Sequence, residues 1–252
     1  MLGSDIVENG HPVGEQNYLE IGGNILFIDG DVASIEKYIN KKQYHIIHKV
    51  LAGLDLKQEV ENNLDKDTSH NITVSQALEI FEKFNIPYSL EKTKAYGWDG
   101  EKFYLGGNSG EEIIHELCHW LVANPERRNI PEFGLGSGFS TVKLYDADKF
   151  IVKYVDNDLE ERITCLLTFI ILTDKGFSPI KEMIDTNFLY FYYYDNEADP
   201  ILAISTDFEI ENVDAKIDEL IKKGIISEKY DFIYNPELMQ KEMMYQIDEP
   251  SM

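Results

Sequence analysis

The residues of this chain best placed to do chemistry are His115, Glu116 and His119, in the order H-E-x-x-H. Histidines four positions apart share one helix face, so both imidazoles can grip a single metal ion. Glu116 stands one step round the helix, where a carboxylate reaches a metal-bound water without being a ligand. The plain alternative is two surface histidines on an ordinary helix. It fits less well, because the motif lies within the apolar flank of its helix. A catalytic site of this kind needs a third protein ligand and keeps a fourth position for water. No Gly-x-x-His follows His119, so the third ligand is expected to be a glutamate on a later helix. Glu160 and Glu161 open an otherwise apolar helix, where unpaired carboxylates are costly, and both are candidates. Stabilisation by the helix dipole can account for one of them without the other.

The motif helix is well specified locally. Ser109 and Glu112 form an S-x-x-E capping box, Glu111 and Glu112 suit the positive end of the dipole, and Asn124-Pro125 ends the run. Ile113, Leu117 and Leu121, with Ile114, Cys118 and Val122, supply its apolar flank. Before it, Asp99-Gly100 predicts a tight hairpin between arms 94–98 and 101–105. After it comes a Gly/Pro-punctuated loop over 125–138 holding Arg127 and Arg128, which either tie the loop to carboxylates or steer an anionic group. Strands are expected over 141–145 and 150–154, and a second long, buried helix over 158–172. Cys118 and Cys165 are expected to be reduced packing residues where these two helices cross.

Elsewhere the periodicity predicts a strand at 24–28 and helices from Asp31 to Ile39 and over 43–54, 74–84, 213–223 and 236–246. His45 and His48 belong to an amphipathic packing pattern with no third partner nearby. The aromatic run Tyr190–Tyr194 reads as an element edge packed on a core. Three regions follow: 1–90 of no assigned role, a metal-binding core at 91–195, and a helical extension at 196–252.

Composition bounds the function. At 252 residues with 43% apolar and 27% charged residues, the chain can bury a full core. Its net charge of −23 opposes nucleic-acid backbones and anionic membranes, so neither is expected as a partner. Two cysteines without a framework fit a reducing compartment. The first residues lack a basic stretch followed by an apolar one, and the longest apolar run spans 163–172, short of a bilayer crossing. A cytoplasmic protein is expected.

A strand, an H-E-x-x-H helix and a later helix with glutamate together resemble the zincin-like metallopeptidases of the gluzincin kind. That resemblance implies an α+β fold with a small mixed or antiparallel sheet. It also implies that the edge strand beside the motif helix, here 101–105 with Phe103 and Tyr104, receives the substrate backbone. Residues 103–170 are more specifically similar to the elongation factor P hydroxylase family. Its H-E-x-x-H-W, Ala, Arg-Arg, Phe-Gly pattern is matched by His115-Glu116, His119-Trp120, Ala123, Arg127-Arg128 and Phe133-Gly134. The family's Val-Glu segment is similar to Leu159-Glu160, which favours Glu160 over Glu161 as ligand. The family implies iron and hydroxylation of a lysine side chain.

The leading expectation is a zinc metallohydrolase of peptidase type acting on a protein or peptide, with Glu116 as general base. Tyr145, Tyr154 or Arg128 would serve as oxyanion donor. The alternative is an Fe(II)-dependent protein hydroxylase, using the two histidines and the glutamate as a facial triad. An acidic binding protein with a structural metal comes third, since a closed site needs a fourth ligand.

Overall fold

A computed structural model of the chain describes residues 17–21, 24–28, 41–56, 58–59, 62, 71–92, 97–135, 152, 155–186, 188–192, 201–204 and 211–233. The fold is mixed α+β. Along the chain run β1 (Asn17–Ile21), β2 (Asn24–Ile28), α1 (Lys42–Leu51), α2 (Val74–Phe81), β3 (Tyr88–Ser89), β4 (Gly97–Trp98) and β5 (Phe103–Tyr104). They are followed by α3 (Gly110–Val122), α4 (Asn157–Asp174), α5 (Ile180–Asp185), β6 (Leu189–Tyr192), β7 (Ile201–Ile204) and α6 (Val213–Lys222). The expected elements at 31–39, 141–145 and 236–246, and most of that at 150–154, lie outside the described residues. No helix among the described residues is long and apolar enough to cross a membrane.

The chain divides into two compact units, Met1–Asn71 with Gly176–Asp214, and Ile72–Lys175 with Ala215–Met252. The regions expected from the sequence are three consecutive ones, 1–90, 91–195 and 196–252. The late strands β6 and β7 join β2 in one sheet of order β1-β2-β7-β6, which returns the chain to the first unit. Conversely, α2 packs on α3, so residues from Ile72 onward belong with the motif helix. In the first unit α1 buries Ile46, Ile47, Val50 and Leu51 and leaves His45 and His48 exposed beside Tyr44, as its amphipathic pattern requires.

The second unit carries the motif, and α2 and α4 flank the motif helix α3. Thr73 and Gln76 cap α2 reciprocally, and the helix buries Ala77, Ile80 and Phe81. Ser109 and Glu112 do the same for α3: the Glu112 amide donates to Ser109 Oγ at 3.2 Å and the Ser109 amide to Glu112 Oε2 at 2.6 Å. A cap of this kind stabilises a helix by about 1 kcal/mol. The first turn of α3 comes so close to the chain before α2 that a Cβ on Gly110 would lie 2.2 Å from the Ile72 carbonyl oxygen. Helix α4 starts at Asp156, whose carboxylate accepts the Leu159 amide at 3.1 Å. It is buried from Leu166 to Leu172 on every side, as a run apolar except for Thr168 demands. Helix α3 packs against both α2 and α4. Burial of each Leu, Ile or Phe along that contact contributes about 1.5–3 kcal/mol, so the crossing of α3 and α4 is a firm base for a site. Cys118 and Cys165 are buried free thiols on these two helices.

The small sheet of the second unit has the order β3-β5-β4, with β3 parallel and β4 antiparallel to β5. Its hairpin differs from the tight two-residue turn expected. Trp98 pairs with Phe103, and Asp99–Lys102 forms the connection. Asp99 Oδ1 accepts the amides of Glu101 and Lys102, each at 2.8 Å, and this side-chain turn outcompetes the narrower one. The strand expected to be an open edge is also different: β5 lies in the middle of its sheet, paired on both sides. Phe103 is wholly buried against Phe81, Trp98 and Phe133.

Candidate metal centre

Helix periodicity sets the site. His115 and His119 project from one face of α3, their ring centroids 4.8 Å apart. Glu161, on the first turns of α4, points its carboxylate between them. Its Oε2 lies 3.5 Å from His115 Nε2 and its Oε1 lies 3.5 Å from His119 Nε2. Three ligands about 2.0–2.1 Å from a tetrahedral metal stand about 3.3–3.4 Å from one another, and each histidine nitrogen lies near that spacing from one of the two carboxylate oxygens. All three ligand atoms fall within 4.8 Å of one another, and closing the widest gap needs up to about 1.4 Å of side-chain adjustment. Among the described residues, this trio is the group of His, Cys, Asp and Glu side chains able to hold a metal ion.

The site's electrostatics suit a cation. Burial pushes His119 from its ordinary 6.5 down to about 4; the Glu161 carboxylate opposes this, and the charges of His115 and Arg127 reinforce it. His119 is therefore neutral at pH 7, the form that binds metal, with no proton to displace. Burial works to raise the Glu161 carboxyl, but the hydrogen bond with His115 and the attraction of both imidazoles outweigh it and hold the group below its usual range. The other ring nitrogen of His119 also has a partner. Thr164 Oγ1 lies 3.3 Å from Nδ1, and the Thr164 hydroxyl is fully buried in α4. That contact leaves Nε2 facing the cluster, the arrangement metal-binding histidines use to fix tautomer and ring orientation.

No protein family, curated protein or solved structure matches the chain. Function has to be read from this geometry.

The structure separates the two glutamates that the sequence left adjacent. Glu161, the second choice, faces the histidines. Glu160, the first choice, forms a bidentate pair with Arg127, at 2.6 Å from Nη1 to Oε2 and 2.6 Å from Nη2 to Oε1. Consecutive helix residues diverge by about 100°, so only one of them can look at α3's histidine face while the other turns toward the loop after α3. The 8% exposed Glu160 would be costly without its arginine. The 44% exposed Glu161 is tolerable without an ion.

Arg127 also donates from Nε to the Phe133 carbonyl at 2.8 Å, and Arg128 donates from Nε to the Trp120 carbonyl at 3.0 Å while stacking 3.7 Å over the Trp120 ring. Both arginines are thus engaged by the protein's own groups. Glu116 is half-buried on α3, one residue on from His115. Tyr104 is half-buried, with Lys102 Nζ 4.9 Å from its ring. Tyr145 and Tyr154 lie outside the described residues.

Two residues at the site were not singled out as site residues from the sequence. Phe133 stacks on His119 at 6.2 Å and 19° between planes. Thr164 follows Glu161 by one helical turn and is followed in turn by buried Thr168, making a polar stripe on an otherwise apolar helix. That stripe was the available signal: buried hydroxyls on a core helix need partners, and Thr168 takes its own in the Thr164 carbonyl at 2.8 Å.

Proposed function

We propose that this protein is a mononuclear metalloenzyme with His115, His119 and Glu161 as ligands, acting as a zinc hydrolase of peptidase type with a zincin-like core. The observation that carries the reading is the Glu161 carboxylate standing 3.5 Å from Nε2 of both motif histidines. A divalent ion held there supplies Lewis-acid polarisation of a carbonyl and lowers the pKa of a coordinated water. Glu116 is the general base. It accepts a proton from the attacking water as the oxygen adds to the peptide carbonyl carbon, then passes that proton to the departing amine as the C–N bond breaks. Thr164 keeps the His119 ring oriented, and Phe133 keeps one side of that ring dry. Arg128, engaged on Trp120, is a poor choice for the oxyanion donor.

A second reading, an Fe(II)-dependent side-chain hydroxylase, draws on the same donor set as a facial triad. It is favoured by one observation. Trp120, Arg127, Arg128 and Phe133, which carry the likeness to the elongation factor P hydroxylase family, are interlocked around the site instead of scattered.

Metal analysis of protein purified without chelators, with assays on a random peptide library, tests both. About one zinc per chain, lost in His115→Ala and His119→Ala, is expected. Glu116→Gln should retain zinc while losing about 10²–10⁴-fold in cleavage rate. Iron with oxygen consumption would transfer the assignment to the second reading. Absence of any bound ion after reconstitution would remove both.

A further inference from the structure

The segment after α3 contains a backbone feature the proposed chemistry does not use. Glu132 and Phe133 are consecutive left-handed residues, at φ 46° and 54°, and neither is glycine. L side chains seldom adopt this conformation, and it persists only where surrounding bonds over-determine it. Those bonds are present. The Phe133 amide donates to the Ile130 carbonyl at 3.0 Å, the Leu135 amide to the Glu132 carbonyl at 2.9 Å, and Arg127 Nε to the Phe133 carbonyl at 2.8 Å. Room for the Glu132 side chain exists because residue 97 has no Cβ; one built there would lie 2.2 Å from the Glu132 carboxylate. The result of this contortion is the Phe133 ring, stacked on Trp98 at 5.8 Å on one hand and on His119 on the other.

The same guanidinium that bonds the Phe133 carbonyl grips both oxygens of Glu160. Glu160 is the neighbour of Glu161 on α4, so fixing one fixes the rotation of the helical turn that presents the other. The pair also occupies Glu160, which keeps a second carboxylate from competing at the histidines.

We infer that Arg127 is a positioning residue of the metal centre, a single side chain that sets both the aromatic wall against His119 and the aim of Glu161. The inference rests on the metal-binding reading above. Arg127 touches neither ion nor substrate in this role; it acts through Phe133 and Glu160. Its planar fork with a third, separate N–H donor is what the geometry uses, and lysine has no equivalent.

Two variants of the full chain test it. Arg127→Lys keeps the charge but loses the fork and the Nε bond. The double variant Arg127→Met with Glu160→Met removes the buried pair with little change in volume, a replacement cores often accept. Each is checked for folding by circular dichroism, then titrated with Zn²⁺ and with Co²⁺, whose visible spectrum reports ligand geometry. The expected result is a folded protein whose affinity for both ions is weakened about 10- to 100-fold, the usual cost of losing a group that orients ligands. The Co²⁺ spectrum should change in shape as well, which a general loss of stability would not produce. Wild-type affinity and spectrum in either folded variant would overturn the inference and leave the metal site standing. Failure of both variants to fold would also overturn it, since Arg127 would then serve the whole unit. A wild-type chain that takes up neither Zn²⁺ nor Co²⁺ would remove the metal reading and this inference with it.

Discussion

Replacing Glu160 and Glu161 one at a time should separate stability from metal binding. Glu160 is 8% exposed and its partner Arg127 15%, joined by two hydrogen bonds of 2.6 Å. Glu160→Ala strands the guanidinium, and breaking a buried pair from one side costs about 3–5 kcal/mol. For a protein of this size 1 kcal/mol moves the melting temperature by about 2–4 °C, so the metal-free variant should melt about 6–20 °C lower. Glu161 is 44% exposed and faces two imidazoles, one of which is neutral at pH 7. Glu161→Ala should therefore change metal-free stability by less than about 1 kcal/mol.

The binding prediction runs the other way. Four-ligand zinc sites are worth about 10–16 kcal/mol in all, or about 3 kcal/mol per ligand, so losing one of three ligands should raise the zinc dissociation constant at least about 100-fold. Calorimetric melts of chelator-treated protein, paired with zinc titration against a chromophoric chelator, measure both quantities on the same samples. The reasoning is refuted if Glu161→Ala binds zinc like the wild type. It is equally refuted if Glu160→Ala melts unchanged yet cannot bind zinc, since that would make Glu160 the ligand.

Three further outcomes follow from the same geometry. Thr164→Val removes the hydroxyl 3.3 Å from His119 Nδ1 without changing side-chain shape, and zinc affinity should fall about 10-fold in a normally folded protein; an unchanged affinity would deny that contact any orienting role. Gly97→Ala forces a Cβ onto the Glu132 carboxylate at φ +103°, and should lower stability by about 1–3 kcal/mol in thermal denaturation. Stability of the metal-free protein should fall with acidification from about pH 6.5 to about pH 4. In that window unfolded chains protonate a histidine that native His119, lowered from 6.5 to about 4, keeps neutral, and the full effect is about 3 kcal/mol. Glu161 acts in the same direction, since its depressed carboxyl loses its native stabilisation as pH falls through it. A flat stability profile between pH 6.5 and 4, or one that His119→Gln leaves just as steep, would contradict the assignment.

Much of the site was legible in the sequence because helices are local objects. The Ser109 cap, the apolar flank of α3 and the four-residue spacing of its histidines are all decided within one segment, and each reappears in the structure. The buried character of α4 was legible for the same reason. What could not be read was anything decided between segments. Whether Glu160 or Glu161 faces α3 depends on the rotation of α4 about its axis, which the Arg127 pair sets from a distant part of the chain. β5 reads as an open edge until β3 arrives from the far side to pair with it in parallel. The left-handed turn at Glu132–Phe133 carries neither glycine nor asparagine, the residues that would have announced it.

Adjacent carboxylates on one helix also bear on how the proposed metal site would stand without its ion. A carboxylate needed in the deep interior requires a partner present in every state of the protein, and only another side chain can provide one. Glu160 has such a partner in Arg127, and it is the more buried of the two. A ligand has the opposite requirement: it must stay available until the ion arrives, and partial contact with water is what makes the wait tolerable. Glu161, almost half exposed and balanced between two imidazoles, meets that condition. On the proposed reading, exposure separates the two carboxylates: the buried one is committed to Arg127, and the half-exposed one is open to an ion. It follows that the second unit should fold without an ion, so chelation should abolish metal-dependent activity while leaving the helical circular dichroism signal intact. Loss of that signal on chelation would mean that the ion, and not Arg127, is the partner on which the start of α4 depends.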